Sequence, residues 1–116
     1  MTDTPHNTWE ERVAAELATG QKAWSEKNDG KARACARRAA GIIIKEYLIR
    51  IHHTSTVPQS ALDRLREVSI NETYPENIRK TAQRLTTNVN DRLNSNFTLH
   101  PINDAKILIT YFKSLL

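Results

Sequence analysis

Residues 31–52, KARACARRAAGIIIKEYLIRIH, decide how the rest of this chain can fold. At 3.6 residues per turn, Ala32, Ala36, Ala39, Ala40, Ile43, Ile44, Tyr47 and Ile51 fall on one broad arc. Lys31, Arg38, Lys45 and His52 recur every seven residues on the opposite side, with Arg37 beside them. The arc is wider than a surface helix needs, so several neighbours must cover it. Its alanine-rich first half lets another helix come close, and its Ile and Tyr second half fills volume. The pattern predicts a central helix enclosed by the others, with its cationic flank in water.

At 116 residues the chain makes one domain, 1–116. That length buries roughly two thirds of the surface exposed by the unfolded chain. Apolar residues at 39% and charged residues at 26% are ordinary for a globular chain. Three Gly and four Pro leave little room for turn-rich β architecture. No run reaches the ~20 apolar residues of a membrane span. The polar, acidic start MTDTPHNTWEER has the character of neither an anchor nor a signal peptide. Cys35 has no second cysteine to pair with and sits among apolar positions, where cysteine is a small buried hydrophobe. A reducing, cytoplasmic setting away from membranes is expected.

The net charge of +4 hides an asymmetry. Residues 1–30 hold six acidic and three basic side chains, and residues 31–116 hold seven acidic and fourteen basic. The second part has the basic balance of small nucleic-acid binders. Charge alone favours a plainer account, in which these groups solvate helix faces and pair with the acidic first segment.

The flanking helices follow from start signals and stripes. Thr8 and Glu11 have capping-box spacing, so a first helix starts at Trp9 and ends near Lys27. Its stripe is Trp9, Val13, Leu17 and Trp24, supported by Ala14 and Ala23. Gly20 inside it costs about 1 kcal/mol against alanine, which points to a close neighbour. Asn28-Asp29-Gly30 is a compact turn, with Asn28 or Asp29 capping the central helix and making the first two helices antiparallel. Pro58 opens a short third helix with Ala61, Leu62, Leu65 and Val68 inward. Tyr74-Pro75-Glu76 starts a fourth carrying Ile78, Ala82, Leu85 and Val89, with Leu93 as its last candidate. A loop over 94–100 leads to Pro101 and a last helix. There Ile102, Ala105, Ile109, Phe112 and Leu116 form one stripe, widened by Ile107, Leu108, Tyr111 and Leu115. Part of that width is expected to meet a second subunit. The fold class is all-α, a four-to-five-helix up-and-down bundle.

Few residues suggest chemistry. The sequence has no phosphate-binding glycine loop, CxxC, HExxH or GxSxG, so no metal site and no cofactor is expected. Adjacent His52 and His53 would point about 100° apart on a helix, and contact with the helix's carbonyl end suits them better than a shared metal. Arg37, Arg38 and Lys45 are the phosphate- and nucleic-acid-binding candidates, because a basic strip on a rigid helix can hold phosphates. No aromatic platform is interleaved with them. Arg92 and His100 are the catalytic candidates. A histidine can move a proton near neutral pH and an arginine can stabilise phosphate charge, which would cleave RNA without metal through the 2′-hydroxyl. The same two residues could equally end one helix and cap the next.

Several stretches together resemble the HEPN family of small all-α domains. They are AAELATGQKAW, the turn EKNDGKA, ARACARRAAGIIIKEYLIR, ALDRLREV, PENIRKTAQRL and the closing DAKILITYFKSLL. The alanine-rich seam ending in Lys45-Glu46-Tyr47 and the Asp104-Ala105 pair opening the last helix carry the likeness. It covers nearly the whole chain. The resemblance implies a bundle that commonly dimerises. Some members are metal-independent ribonucleases with clustered Arg and His at the dimer interface. Others are non-catalytic partners of small nucleotidyltransferases, in toxin–antitoxin-like pairs, or binding modules. Seven residues separate Arg92 from His100, more than in the catalytic members. The expectation is therefore a non-catalytic homodimeric module for a protein, nucleotide or RNA partner, with a toxin-like endoribonuclease and a purely structural subunit as alternatives.

Overall fold

A computed structural model of the chain describes residues 8–52, 57–87 and 99–116. Among these residues there are five helices and no strand: α1 (Trp9–Ser25), α2 (Asp29–His52), α3 (Ala61–Ile70), α4 (Glu76–Thr86) and α5 (Pro101–Ser114). The domain is an all-α bundle, and α2 touches all four other helices. None of the described helices is long and apolar enough to cross a membrane.

The start of α1 follows its local code. Thr8 Oγ1 accepts from the Glu11 N–H at 3.0 Å, and Glu11 Oε1 accepts from the Thr8 N–H at 3.2 Å. The helix ends two residues earlier than the pattern suggested, in a Schellman turn. Asn28 N–H donates to Ala23 O and Lys27 N–H donates to Trp24 O. Lys27 takes a positive φ of 62° there, a backbone conformation that glycine adopts without strain. Asn28 Oδ1 then accepts from the Lys31 N–H at 3.3 Å and caps α2.

The arc of α2 is buried as expected from Ala32 through Tyr47, with Ala32, Ala36, Ala39, Ala40, Ile43 and Ile44 fully inaccessible. Ile51 departs from it at 45% exposed, because the last turn of α2 runs past the neighbours that cover the earlier turns. Small residues set the spacing. A Cβ built on Gly20 would lie 2.9 Å from Cys35 Cβ and 2.8 Å from Ile102 Cδ1, so this glycine is where α1 meets α2 and α5. A Cβ on Gly41 would lie 2.6 Å from Ala61 Cβ and 2.9 Å from Ala61 Cα, where α3 begins against α2.

Other stripes shift in detail. Ala14 is exposed, whereas Val13 and Ala23 are buried. In α3 the buried positions are Arg64, Leu65 and Val68, with Ala61 and Leu62 half-buried. Pro75 caps α4 rather than forming its first turn, and the helix ends at Thr86, with Thr87 extended. Val89 and Leu93 lie outside the described residues. In α5 the buried line is Ile102, Ala105, Leu108 and Phe112, while Ile109 is only half-buried. Much of the extra apolar width is taken up inside the bundle, since α5 packs on α2, α4 and α1 together. Beyond its end, Leu115 and Leu116 are each 38% exposed.

Replacing Lys27 with Gly should raise stability by about 1 kcal/mol, because the left-handed turn no longer strains a side chain. For a domain of this size the expected rise in Tm is about 4 °C, read by thermal unfolding. A lower Tm would show that the Lys27 side chain contributes more than its backbone strain costs.

Candidate functional site

The seven-residue series on α2 is a surface feature. Lys31, Arg38, Lys45 and His52 are all exposed, opposite the buried arc. Arg38 is not an open charge, since its Nε donates to Glu16 Oε2 of α1 at 2.9 Å. That bond holds the guanidinium above its ordinary pKa despite some burial. Arg38 Nη2 also lies 3.4 Å from Cys35 Sγ. The thiol is fully buried, and desolvation pushes its pKa up, the opposite of an activated nucleophile.

Arg37 belongs to the interior side. Its Nε donates to Leu85 O at 2.6 Å and its Nη2 to Thr87 O at 3.5 Å, so it ties α2 to the carbonyl end of α4. Burial, then the neighbouring Arg33 and Arg66, lower its pKa. Backbone carbonyls thus take the guanidinium that the sequence offered to a phosphate.

Of the two catalytic candidates, Arg92 lies outside the described residues, and no distance joins it to His100. His100 caps α5: its Nδ1 accepts from the Asn103 N–H at 3.1 Å, and its ring packs on Trp24 with centroids 5.1 Å apart. One of the two uses weighed from the sequence, the helix cap, is thus present. His52 Nε2 lies 3.2 Å from Tyr47 Oη, and His53 lies outside the described residues. Among the described residues no three His, Cys, Asp or Glu side chains gather where they could hold a metal.

Two polar and aromatic groupings have no local signal in the sequence. Arg84 and Asp104, twenty residues apart, form a bidentate pair joining α4 to α5, with Nε to Oδ2 at 3.2 Å and Nη2 to Oδ1 at 2.9 Å. Arg84 Nη2 also donates to Thr81 Oγ1 at 3.1 Å. The bond to Asp104 raises the Arg84 pKa. At the other end of the core all three tyrosines of the chain converge on Phe112. Tyr47 and Tyr74 lie 5.1 and 5.4 Å from it by ring centroids, and Tyr111 lies 5.1 Å away. Tyr47, Tyr111 and Phe112 each fit an apolar stripe of the sequence, but their convergence with Tyr74 is a product of packing.

The chain finds no match among protein-family models, curated proteins or solved structures.

Asp104→Asn keeps the shape of the α4–α5 link and removes its negative charge. A fully buried broken pair costs 3–5 kcal/mol, but the Arg84 side chain is 32% exposed, so a loss of about 2 kcal/mol is expected in urea unfolding. Tyr74 gives a pH signature. Burial, with Tyr47 and Tyr111 nearby, pushes its phenol from 10.0 up to about 12. Below pH ~10 it is protonated in both states and its contribution is complete. As pH rises from about 10 to about 12 the unfolded chain releases the proton first, so stability falls by at most about 1.4 kcal/mol per pH unit. Tyr74→Phe should flatten that decline, and urea midpoints that fall equally steeply in both proteins would contradict the assignment.

Proposed function

We propose that this chain is a HEPN-like helical bundle without catalysis of its own, acting as a homodimeric module that binds the backbone of an extended RNA strand. The observation that carries this reading is the placement of exposed Lys31, Arg38 and Lys45 along one side of α2, whose opposite side is buried. A helix rises 1.5 Å per residue, so successive members stand about 10 Å apart and the outer pair about 21 Å apart. Cations so spaced cannot close on one phosphate. They suit a polyanion that runs along the helix and exchanges its counterions for them. Lys31 and Lys45 provide the open charges, and Arg38 shares its own with Glu16.

The dimer rests on a separate feature. The last turn of α2 carries Ile49 and Ile51, and Leu115 and Leu116 follow the end of α5, all between 38% and 45% exposed. Tyr47 and Phe112, one turn inside each, are in ring contact, so the two helix ends lie at the same end of the bundle. Exposed aliphatic groups gathered at one end support contact with a second copy.

Three phosphate contacts to a single strand predict a slope near −2 for log K against log salt. Lys31→Glu with Lys45→Glu should bring it to about −0.7 or abolish binding, with Tm little changed because both side chains are exposed. A protein that sediments as a monomer at about 50 μM and binds no RNA at low salt would overturn the proposal. The same RNA incubated with a chelator tests the nuclease alternative. His100→Asn is the informative variant there, since asparagine can still cap α5 but cannot move a proton. Cleavage lost in that variant would replace the binding reading with the endoribonuclease one.

A further inference from the structure

We infer that the cleft between α2 and α3 binds a small zwitterion of the amino-acid type, with an aliphatic side chain. The cleft has a volume of about 240 Å³, and although His52 reaches its edge, none of Lys31, Arg38 and Lys45 lines it, so this inference is independent of RNA binding. It falls below the roughly 300–1,000 Å³ of sites for drug-sized molecules, which fixes the ligand as small.

Its chemistry comes in three parts. Ile44, Leu48, Pro58 and Val68 form an apolar wall. Arg64 and Glu67, three residues apart on α3 and therefore on one face, both line the cleft. They are not in ion-pair contact with each other, and among the described residues Arg64 has no carboxylate within ion-pair distance.

Arg64 is 9% exposed, and burial lowers its pKa. Its charge is met by three backbone carbonyls: Nε donates to Pro58 O at 2.7 Å, Nη2 to Gln59 O at 2.9 Å and Nη1 to Gly41 O at 3.4 Å. A guanidinium has five N–H groups in a planar fork, so two remain beyond those bonds. A ligand carboxylate would supply the counter-charge that a buried cation needs, and the fork suits it in bidentate geometry. The Glu67 carboxylate, exposed at the rim, would then receive an ammonium group.

Asn71 adds a directional group. Its Oδ1 accepts from the Thr73 N–H at 2.9 Å, which leaves its amide nitrogen as a donor for the same ligand carboxylate. A simple anion would meet Arg64 but be repelled by Glu67, and a simple amine would do the reverse. A molecule carrying both charges on adjacent carbons, with a short branched chain against Ile44, Leu48 and Val68, satisfies every part.

Calorimetric titration of the full chain with L-leucine tests this. Saturable binding is expected, with 4-methylpentanoate and 3-methylbutylamine each at least about tenfold weaker, since each leaves one protein charge unmatched. Arg64 also holds the α2–α3 connection, so its removal could unfold the domain; exposed Glu67 provides the decisive variant. Glu67→Gln should keep its Tm, lose about tenfold in leucine affinity and bind 4-methylpentanoate no worse than the parent. The proposal is overturned by no heat of binding up to about 10 mM leucine, by equal binding of leucine and 4-methylpentanoate, or by unchanged leucine affinity in Glu67→Gln. RNA binding on α2 would stand or fall separately.

Discussion

Close approach to α2 is the constraint from which the rest of this bundle follows. Dispersion attraction between side chains is short in range, so a helix gains from a neighbour only when backbones can come near. Along α2 the residues facing other helices are first small (Ala32, Ala36, Ala39, Ala40 and Gly41) and only then large, at Ile43, Ile44 and Tyr47. The small half admits α1 at Gly20 and α3 at Ala61. The large half fills the wider end, where the tyrosines and Phe112 meet. One helix can thereby contact four others.

Arginine supplies the second layer of organisation. Arg37 holds Leu85 O, Arg64 holds the carbonyls of Pro58 and Gln59, and Arg79 donates to Tyr74 O at 3.0 Å. Arg37 thus satisfies a carbonyl at the end of another helix, and Arg64 and Arg79 satisfy carbonyls in the segments that lead into their own helices. Arg84 does the equivalent work with a carboxylate. Part of the basic excess of residues 31–116 is thus internal fastening. The positive surface left for a partner is smaller than the net charge suggests, and it consists chiefly of lysine.

This division bears directly on function. Lysine at Lys31 and Lys45 is exposed and able to exchange small counterions for phosphates, whereas the arginines of α2 are engaged, Arg37 by carbonyls and Arg33, Arg38 and Arg50 by carboxylates. Arg64 differs from these in being placed at a cleft, where three carbonyls meet its buried charge. The two ligands proposed, an RNA strand on α2 and a zwitterion in the α2–α3 cleft, therefore call on different groups of the fold.

The helices are legible in local sequence signals. Capping at Thr8, the turn at Asn28, the proline start before Glu76 and the apolar period of α2 are local properties, settled by backbone hydrogen bonds within a few residues. The sequence by itself also determined that Cys35 and the alanine seam would be interior. It did not separate Arg37 from Arg38, adjacent residues of the same chemistry, because only the arrival of α4 beside one of them gives it carbonyls to hold. Nor did it foretell Leu108 rather than Ile109 in the core, the Arg84–Asp104 link or the cleft around Arg64. Those depend on groups far apart in the chain and brought together by packing. Tertiary structure decided which charges face water, because desolvation depends on every neighbour at once and a one-dimensional pattern records only the nearest few.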